Sequence, residues 1–286
     1  MSVSRVVVGV DGSANSKAAV LQASHFAYSR GMTLHVLHAF APDLPMLGFG
    51  TGNDREVVTE HGQTLVSNAA ARAHSAHPDL TVTSSLTDGY ASQALVAASR
   101  TAALVVIGAT GHGILSQGSV GAVAMQVATH ARCPVLVVGH GTSGAPVEGG
   151  RVVVGVDGSK ESIHAAQAAF REAAIVKGTL QVVHAWQARS ATDPTLTPES
   201  DWEQYSRDFE KRIDAELADE RRAHPDVKVE YEVISEDPVK ALVERSEGTN
   251  LMVVGARGTG GFPGLHVGST ALRLMGRSSC PVLLIR

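Results

Sequence analysis

Short apolar runs alternate with amphipathic segments along the whole chain, and this pattern predicts parallel strands separated by helices. The runs are rich in valine, isoleucine and leucine, as expected of strands covered on both faces. The first half gives predicted strands at 5–10, 33–39, 81–86, 104–108 and 135–139, and helices at 13–30, 54–77, 91–101 and 121–131. The second half gives predicted strands at 151–156, 179–185, 228–234, 251–255 and 282–286. The pattern therefore predicts an α/β fold with a doubly wound sheet in each half.

The chain is an internal duplication. Residues 5–13, RVVVGVDGS, recur unchanged 146 positions later as residues 151–159. The tetrapeptide Cys-Pro-Val-Leu that begins at Cys133 recurs at Cys280, 147 positions later. A repeat of this length is a whole domain rather than a solenoid unit. We therefore predict two tandem domains, 1–140 and 150–286, joined by a glycine-rich linker at 139–150.

Composition excludes several classes of protein. Hydrophobic residues make up 44% of the 286 residues and charged residues 18%, with a formal net charge of −4. These values argue against a disordered chain and against a polycationic nucleic-acid binder. Aromatic residues are only 4%, so the side chains on which the bases of single-stranded nucleic acids stack are scarce. Two cysteines are too few for a disulfide framework and fit a reducing compartment. We expect a cytoplasmic protein without a nucleic-acid partner.

Residues 100–132 superficially resemble a membrane span, because no charged residue stands between Arg100 and Arg132. The stretch contains several glycines and polar residues, so it is interpreted as a strand, a glycine loop and a helix. No signal peptide pattern is present. We expect no membrane partner.

Residues 199–222 are rich in both acidic and basic side chains. The favoured interpretation is a solvated helix face with ion pairs four residues apart, and the alternative is a docking surface.

Candidate chemistry lies where the first strand of each half ends. Open parallel sheets bind ligands beyond the carboxyl ends of their strands, where the strand order reverses. Asp11 and Asp157 stand there, each followed by Gly-Ser and a helix. A purely structural role in capping that helix is the alternative, and repetition does not decide between the two.

A glycine-rich loop follows the fourth strand of the second half. Gly255, Gly258 and Gly268 are spaced so that backbone amides could approach phosphate oxygens closely, and Ser269 and Thr270 add hydroxyl donors. The alternative is a flexible loop that ends in an ordinary helix cap. The loop lacks the Gly-Lys-Ser/Thr of the common P-loop, and no nucleophile motif is present, so binding is favoured over turnover.

These motifs together resemble the universal stress protein family. The Val-Asp-Gly-Ser strand end, a second strand ending in His-Ala, the Gly-x2-Gly-x9-Gly-Ser loop and the Cys-Pro-Val-Leu strand cover both halves almost end to end. The resemblance implies strand order 3-2-1-4-5, and members with this loop typically bind ATP, here expected with Mg²⁺. In the second half it implies a nucleotide site at Gly155, Val156, Asp157, Ala185, Gly255, Arg257, Gly258, Gly268, Ser269 and Thr270. In the first half the corresponding residues are Gly9, Val10, Asp11, Ala39, Gly108, Gly111 and Gly121.

The first half departs from the family pattern at Ala122, which replaces the loop serine. Loss of one hydrogen bond to a charged group costs about 1.5–3 kcal/mol, so we predict an intact second site and a weaker first site. Gly118-Ser119 is an alternative donor if the loop shifts by three residues.

The function expected from this resemblance is ATP binding that biases conformation or oligomerisation and so regulates protein partners, which the sequence does not identify. Slow hydrolysis or autophosphorylation is compatible with it. Alternatives are an adenylate-forming or nucleotide-hydrolysing enzyme of a related fold and a nucleotide-free interaction module. The apolar last strand, 282–286, predicts a paired edge, and the resemblance implies a homodimer.

Two further residue pairs recur in both halves. His38 and His184 end the second strands, and we interpret them as hydrogen-bonded structural residues rather than catalytic bases. Cys133 and Cys280 are interpreted as small buried hydrophobic residues rather than redox sensors. No cluster of cysteine and histidine has metal-ligand spacing, so no metal site is predicted within the protein itself.

Overall fold

The computed structural model describes residues 4–40, 54–111, 118–139, 141–142, 145–186, 199–258 and 267–286. The chain divides into two compact units, Met1–Ala145 and Pro146–Arg286. Part of the expected linker and part of each glycine loop lie outside the described residues.

The first unit alternates strands and helices as predicted. Its strands are β1 (Arg5–Gly9), β2 (Thr33–Phe40), β3 (Val82–Asp88), β4 (Leu104–Gly108) and β5 (Val135–Val138). Its helices are α1 (Ala14–Tyr28), α2 (Asp54–Ala76), α3 (Ala91–Ala98) and α4 (Ala122–His130). The sheet order is β3-β2-β1-β4-β5, and all four strand pairs are parallel.

The second unit repeats this architecture. Its strands are β6 (Arg151–Gly155), β7 (Thr179–Ala185), β8 (Lys228–Ile234), β9 (Leu251–Gly255) and β10 (Val282–Ile285). Its helices are α5 (Lys160–Ile175), α6 (Glu199–Glu216), α7 (Ala218–Ala223), α8 (Pro238–Arg245) and α9 (Ser269–Arg277). The order β8-β7-β6-β9-β10 with parallel pairs is the order of the first unit. The predicted fold class is thus confirmed in both units.

The central strands hold each core. In β1 and β6 the three consecutive valines have at most 1% of their surface exposed, so side chains on both faces of the sheet are covered. Alanines of α1 and α5 lie against the sheet; Ala19, Ala23, Ala165 and Ala169 have no exposed surface. Small residues on this helix face let the helix approach the strands closely. This packing determines how the carboxyl end of the first strand is placed relative to the first turn of the helix that follows it.

Ser13 and Ser159 start the first helix of each unit. Each side chain accepts a hydrogen bond from the backbone amide three residues later, Ser16 or Ser162. A serine in this position satisfies one of the amides that have no partner within the helix. The glycine before each serine has a positive φ, 87° at Gly12 and 82° at Gly158, which explains the strict Asp-Gly-Ser sequence.

The charged segment 199–222 folds as two helices rather than one, because the first ends at Glu216 and the second starts at Ala218. Phe209, Ile213 and Leu217 are buried on its inner face. Exposed charges occupy other positions, including the ion pair of Arg207 with Glu203 four residues apart.

Residues 100–132 form β4 and α4 where they are described. No helix in the described part of the chain is long and apolar enough to cross a membrane.

Candidate functional site

A cavity of about 190 Å³ opens at the carboxyl edge of the first sheet. It lies between the ends of β1 and β4, where the strand order reverses, because the chain proceeds from β1 to β2 and β3 on one side and from β4 to β5 on the other. Ligands of open α/β sheets bind at such a switch point. All seven first-half residues selected from the sequence line this cavity: Gly9, Val10, Asp11, Ala39, Gly108, Gly111 and Gly121.

The cavity has an apolar side and a polar side. Leu37, Leu95 and Ile107 supply apolar surface from β2, α3 and β4. The opposite side is formed by the Asp11 loop and by the start of α4 at Ala122. A flat apolar ring and a polar or anionic group could therefore be accommodated at two ends of the same cavity.

Asp11 performs a structural task in its own loop. One carboxylate oxygen, Oδ1, accepts a hydrogen bond of 2.9 Å from the backbone amide of Ser13. The other oxygen, Oδ2, faces Gly111, since a Cβ added to that glycine would lie 2.5 Å from it. The carboxylate thus lies between the loop after β1 and the loop after β4. The structural and functional interpretations of Asp11 are compatible, because the two oxygens have different surroundings.

The helix that borders the cavity starts without a side-chain cap. Gly121 precedes α4, and its amide donates a 2.8 Å hydrogen bond to Ala109 O. The first amides of a helix have no partner within it, and they carry the positive end of the helix dipole. A glycine at the cap position leaves these amides accessible to an anion.

The second unit keeps the same framework. Asp157 Oδ1 accepts hydrogen bonds from the amide of Ser159 at 3.0 Å and from its hydroxyl at 2.6 Å. A side chain at Gly258 would collide with Asp157 Oδ2, as one at Gly111 would with Asp11. The amide of Gly268 donates to Ala256 O at 2.7 Å, as that of Gly121 does to Ala109 O. The structure therefore brings Asp157, Gly258 and Gly268 together.

The remaining second-half residues lie at the same edge of that sheet. Gly155 and Gly255 end the adjacent strands β6 and β9, and Ala185 ends β7 on the other side of β6. The amide of Val156 donates to Val183 O at 2.9 Å. Ser269 and Thr270 begin α9, and the Ser269 side chain is exposed. The loop residues between Gly258 and Val267 lie outside the described part of the chain.

Arg257 is placed differently from the other predicted residues. Its guanidinium forms an ion pair with Glu161 Oε1 at 3.4 Å, and both side chains are partly exposed. At the matching place in the first unit, Asn15 Nδ2 donates to Thr110 Oγ1 at 2.8 Å, and both residues are buried. The sequence analysis missed Glu161 and Asn15, although the repeat alignment places both at equivalent positions.

The two loops also start their helices in the same register. Gly121 and Gly268 both occupy the position before the helix, so Ala122 stands at the place of Ser269 and Val123 at the place of Thr270. Ser119 therefore precedes the cap by two residues and does not take the place of Ser269. The first site lacks both hydroxyls, of which the sequence analysis named only one.

The repeated histidines tie strand ends together. His38 Nδ1 donates to Val10 O at 2.6 Å, and His184 Nδ1 donates to Val156 O at 2.7 Å, because a carbonyl oxygen can only accept. His184 Nε2 then accepts from the Tyr205 hydroxyl at 2.8 Å. Burial lowers the pKa of His184, against smaller opposing effects of the Val156 carbonyl and Asp157. This geometry supports the structural interpretation of both residues.

Both cysteines are buried, with 7% of Cys133 and 3% of Cys280 exposed. Burial raises the pKa of the Cys280 thiol to about 11, which disfavours the reactive thiolate. The described residues contain no group of three or more histidine, cysteine or acidic side chains that could hold a metal ion.

Comparison with known proteins places this geometry in a family. The sequence profile of the universal stress protein family matches residues 2–139 and 150–286. The universal stress protein Rv1996 of Mycobacterium tuberculosis is 32% identical over 301 residues, which cover 98% of this chain and 94% of that protein. Rv2005c of the same organism, also a universal stress protein, is 32% identical over 292 residues, covering 98% and 96%.

Solved structures agree in fold. The crystal structure of a universal stress protein from Archaeoglobus fulgidus matches with a TM-score of 0.69 and 20% identity, covering 99% of this chain and 96% of that one. The resemblance inferred from the motifs is thereby confirmed along both units. The chain belongs to the universal stress protein family and carries two tandem domains of that family.

Proposed function

We propose that this protein binds ATP at the carboxyl edge of each sheet and acts through nucleotide occupancy as a stress-response regulator. The observation that carries the proposal is the first-unit cavity, which is lined by every first-half residue selected from the sequence. Family membership supports the regulatory role, and the repeated Asp-glycine contact supports an equivalent site in the second unit.

The cavity geometry suggests how the nucleotide lies. Its volume is below the range of about 300–1,000 Å³ typical of pockets for drug-sized ligands, so it holds only part of ATP. The adenine ring fits the apolar side at Leu37, Leu95 and Ile107, with Asp11 near the ribose. The phosphates then extend over the first amides of α4, which have no partner within the helix and where the helix dipole favours negative charge.

Mg²⁺ would accompany ATP without a dedicated set of protein ligands. This ion keeps several waters and binds mainly through substrate phosphates in nucleotide sites. The absence of a metal-binding cluster among the described side chains is compatible with such an arrangement. The contribution of Mg²⁺ would be to neutralise phosphate charge beside the glycine loop.

Binding and regulation suit the acidic residues better than turnover does. Asp11 Oδ1 and Asp157 Oδ1 each accept hydrogen bonds from their own loop, which holds the carboxylates in place. An adenylate-forming enzyme would release pyrophosphate only when a second substrate is added. Absence of such release would separate the regulatory function from that alternative.

We propose that the second site binds ATP more tightly than the first. Ser269 and Thr270 offer hydroxyls at the start of α9, whereas Ala122 and Val123 offer none. Glycine spacing and the Asp contact are the same in both units. The hydroxyls, together with Arg257 where the first unit has Thr110, therefore distinguish the second site.

The test is equilibrium dialysis of ATP against the full chain and two glycine variants. In Gly268→Ala, the new Cβ would lie 3.8 Å from Gly258 N and 3.7 Å from Ala256 O, which is ordinary contact. In Gly121→Ala, the Cβ would lie 3.4 Å from Ala109 O, at the short end of ordinary van der Waals contact. Each methyl group would lie within 4 Å of a loop amide, that of Gly111 or Gly258, and so would occupy space beside the glycine loop where phosphate is proposed to bind. We expect two ATP per chain for the unaltered protein and one for each variant.

The control is Gly248→Ala. This glycine has a φ of 64° and open space around its Cα, so alanine strains the backbone away from either site. Its ATP stoichiometry should stay at two even if stability falls. No ATP binding at millimolar concentration by the unaltered chain would refute the proposal and leave a nucleotide-free interaction module.

The homodimer implied by the family resemblance is a separate proposal. Light scattering tests it, because the chain has a mass of 29.8 kDa and a dimer has twice that value. A monomeric mass with and without ATP would contradict it.

A further inference from the structure

A larger cavity of about 610 Å³ lies between α1 and α2 of the first unit. We call it the α1–α2 groove. Its apolar floor consists of Val10, Val20, Leu65 and Ala69. Its volume lies within the range of about 300–1,000 Å³ typical of small-molecule pockets. It shares Val10 and Ser16 with the smaller cavity but is otherwise built from different residues.

Two cations border the floor. Lys17 on α1 and Arg72 on α2 both line the groove and are exposed. Within the described residues, neither side chain forms an ion pair or a hydrogen bond. Two positive groups at the edge of an apolar pocket match an organic anion in charge and in polarity.

The duplicated chain shows that the fold itself does not require Lys17. Ser16 and Ser162 occupy the same position of α1 and α5, and their hydroxyl oxygens accept equivalent hydrogen bonds from Asp11 N and Asp157 N of the preceding loop. The residue that follows Ser162 is Ile163, so the second unit folds with an apolar side chain where the first has lysine.

The second unit carries larger side chains on the helix equivalent to α2. Phe209 stacks on His184 with ring centroids 4.1 Å apart, whereas the equivalent Gly62 approaches His38. In this register Leu65 corresponds to Arg212. The guanidinium of Arg212 lies against Gly158, because a Cβ there would be 2.7 Å from its terminal nitrogen.

Leu65, at the position of Arg212, carries no guanidinium that could lie against the glycine of its own unit. Gly12, the equivalent of Gly158, instead lines the α1–α2 groove together with Leu65. Helix α6 thus carries larger side chains than α2 at two equivalent positions, Phe209 for Gly62 and Arg212 for Leu65.

We propose that the α1–α2 groove is a second ligand site, specific for a small organic anion with an apolar body. Lys17 and Arg72 hold the acidic group, and the apolar floor covers the rest of the molecule. The site is distinct from the ATP site, because it lies between α1 and α2, whereas the smaller cavity is bordered by α3 and α4.

The experiment titrates the full chain with 8-anilinonaphthalene-1-sulfonate and, separately, with N-phenyl-1-naphthylamine, which has the same rings without the sulfonate. Fluorescence reports binding of both probes. Lys17→Ile introduces the residue found at the equivalent position of the second unit, so it is compatible with the fold. Arg72→Gln removes the other charge. We expect each variant to weaken sulfonate binding about five- to tenfold, with the uncharged probe changed less than twofold.

Arg100→Gln is the matched control, because Arg100 is an exposed arginine of the same unit outside the groove. It should leave both affinities unchanged. The proposal is overturned if the sulfonate does not bind saturably, if Lys17→Ile and Arg72→Gln leave its affinity unchanged, or if Arg100→Gln weakens it equally. Equal weakening of the uncharged probe would also overturn it, since the cations would then not select an anion.

Discussion

The two proposed nucleotide sites of the chain differ in the side chains that start the helix after each glycine loop. Ser269 begins α9 directly after Gly268, and Ala122 begins α4 directly after Gly121. Ser269→Ala gives the second site the residue that the first has at this position, and Ala122→Ser does the reverse. Thr270 and Val123 stay unchanged, so each variant tests one hydroxyl. Each variant is the control for the other, because the glycine framework is common to both units.

The expected magnitude follows from the position of Ser269. A hydrogen bond to a charged group contributes about 1.5–3 kcal/mol, and an exposed donor belongs at the lower end. We therefore expect Ser269→Ala to weaken ATP binding about tenfold at the second site. Stability should be unaffected, since Ser269 makes no hydrogen bond with another described residue and alanine is the better helix former. Ala122→Ser should strengthen the first site by a similar factor.

Titration calorimetry measures each site separately when the other is blocked. Ser269→Ala is made in the Gly121→Ala background, and Ala122→Ser in the Gly268→Ala background. Affinity changes below twofold in both directions would refute the reasoning, because the hydroxyl would then not meet phosphate. Parallel changes in ADP and ATP affinity with none for adenosine would locate the contact on the phosphates.

Three other predictions concern stability and reactivity. Burial lowers the pKa of His184 in the folded chain, so the unfolded chain binds a proton at this residue near pH 6.5 and the folded chain does so only at lower pH. The free energy of unfolding should therefore be independent of this histidine above pH 6.5 and decrease as the pH falls below that value. Thermal unfolding at pH 8 and 5.5 should show a smaller decrease for His184→Gln, and an equal decrease would contradict this assignment. Cys280, with its pKa raised to about 11, should not react with Ellman's reagent in the native chain. The unfolded chain should release two equivalents of the coloured thiolate, one for each cysteine. Rapid labelling of Cys280 in the native chain would contradict this prediction. Lys177 has a φ of 51° in the turn where the first unit has Gly31 at 61°. Lys177→Gly should therefore relieve backbone strain and raise the unfolding midpoint temperature by about 2–4 °C. A lower midpoint temperature in scanning calorimetry would count against strain at this residue.

Most of the fold could be predicted from the sequence because its strongest signals are local. The valine runs of β1 and β6 are buried on both faces, and strands of that kind are nearly continuous in hydrophobicity. Strands β4, β7, β8 and β9 begin and end at the predicted residues. Helix ends were less predictable; α3 ends at Ala98 rather than at 101, because Ser99 begins a turn whose bonds the apolar pattern does not reveal.

The site was predictable only as a set of positions. Repetition of Asp-Gly-Ser and of the glycine spacing selected residues that are up to about a hundred positions apart, and the sheet order brings them to one edge. The partners of those residues were not predictable. Arg257, in the loop after β9, forms an ion pair with Glu161 at the start of α5. Its equivalent Thr110, in the loop after β4, accepts a hydrogen bond from Asn15 at the start of α1.

The sequence by itself determined the duplication, the α/β class and the family, because each rests on residue order and spacing that a single chain displays directly. Only the tertiary structure shows that the Asp-Gly-Ser motif, identical in both units, lies next to different side chains in each of them. Lys17 and Arg72 border an open groove, while Arg212 covers Gly158 at the equivalent place. The physical reason is that a cavity depends on side-chain volumes contributed by two helices separated by tens of residues, and no local pattern records their sum.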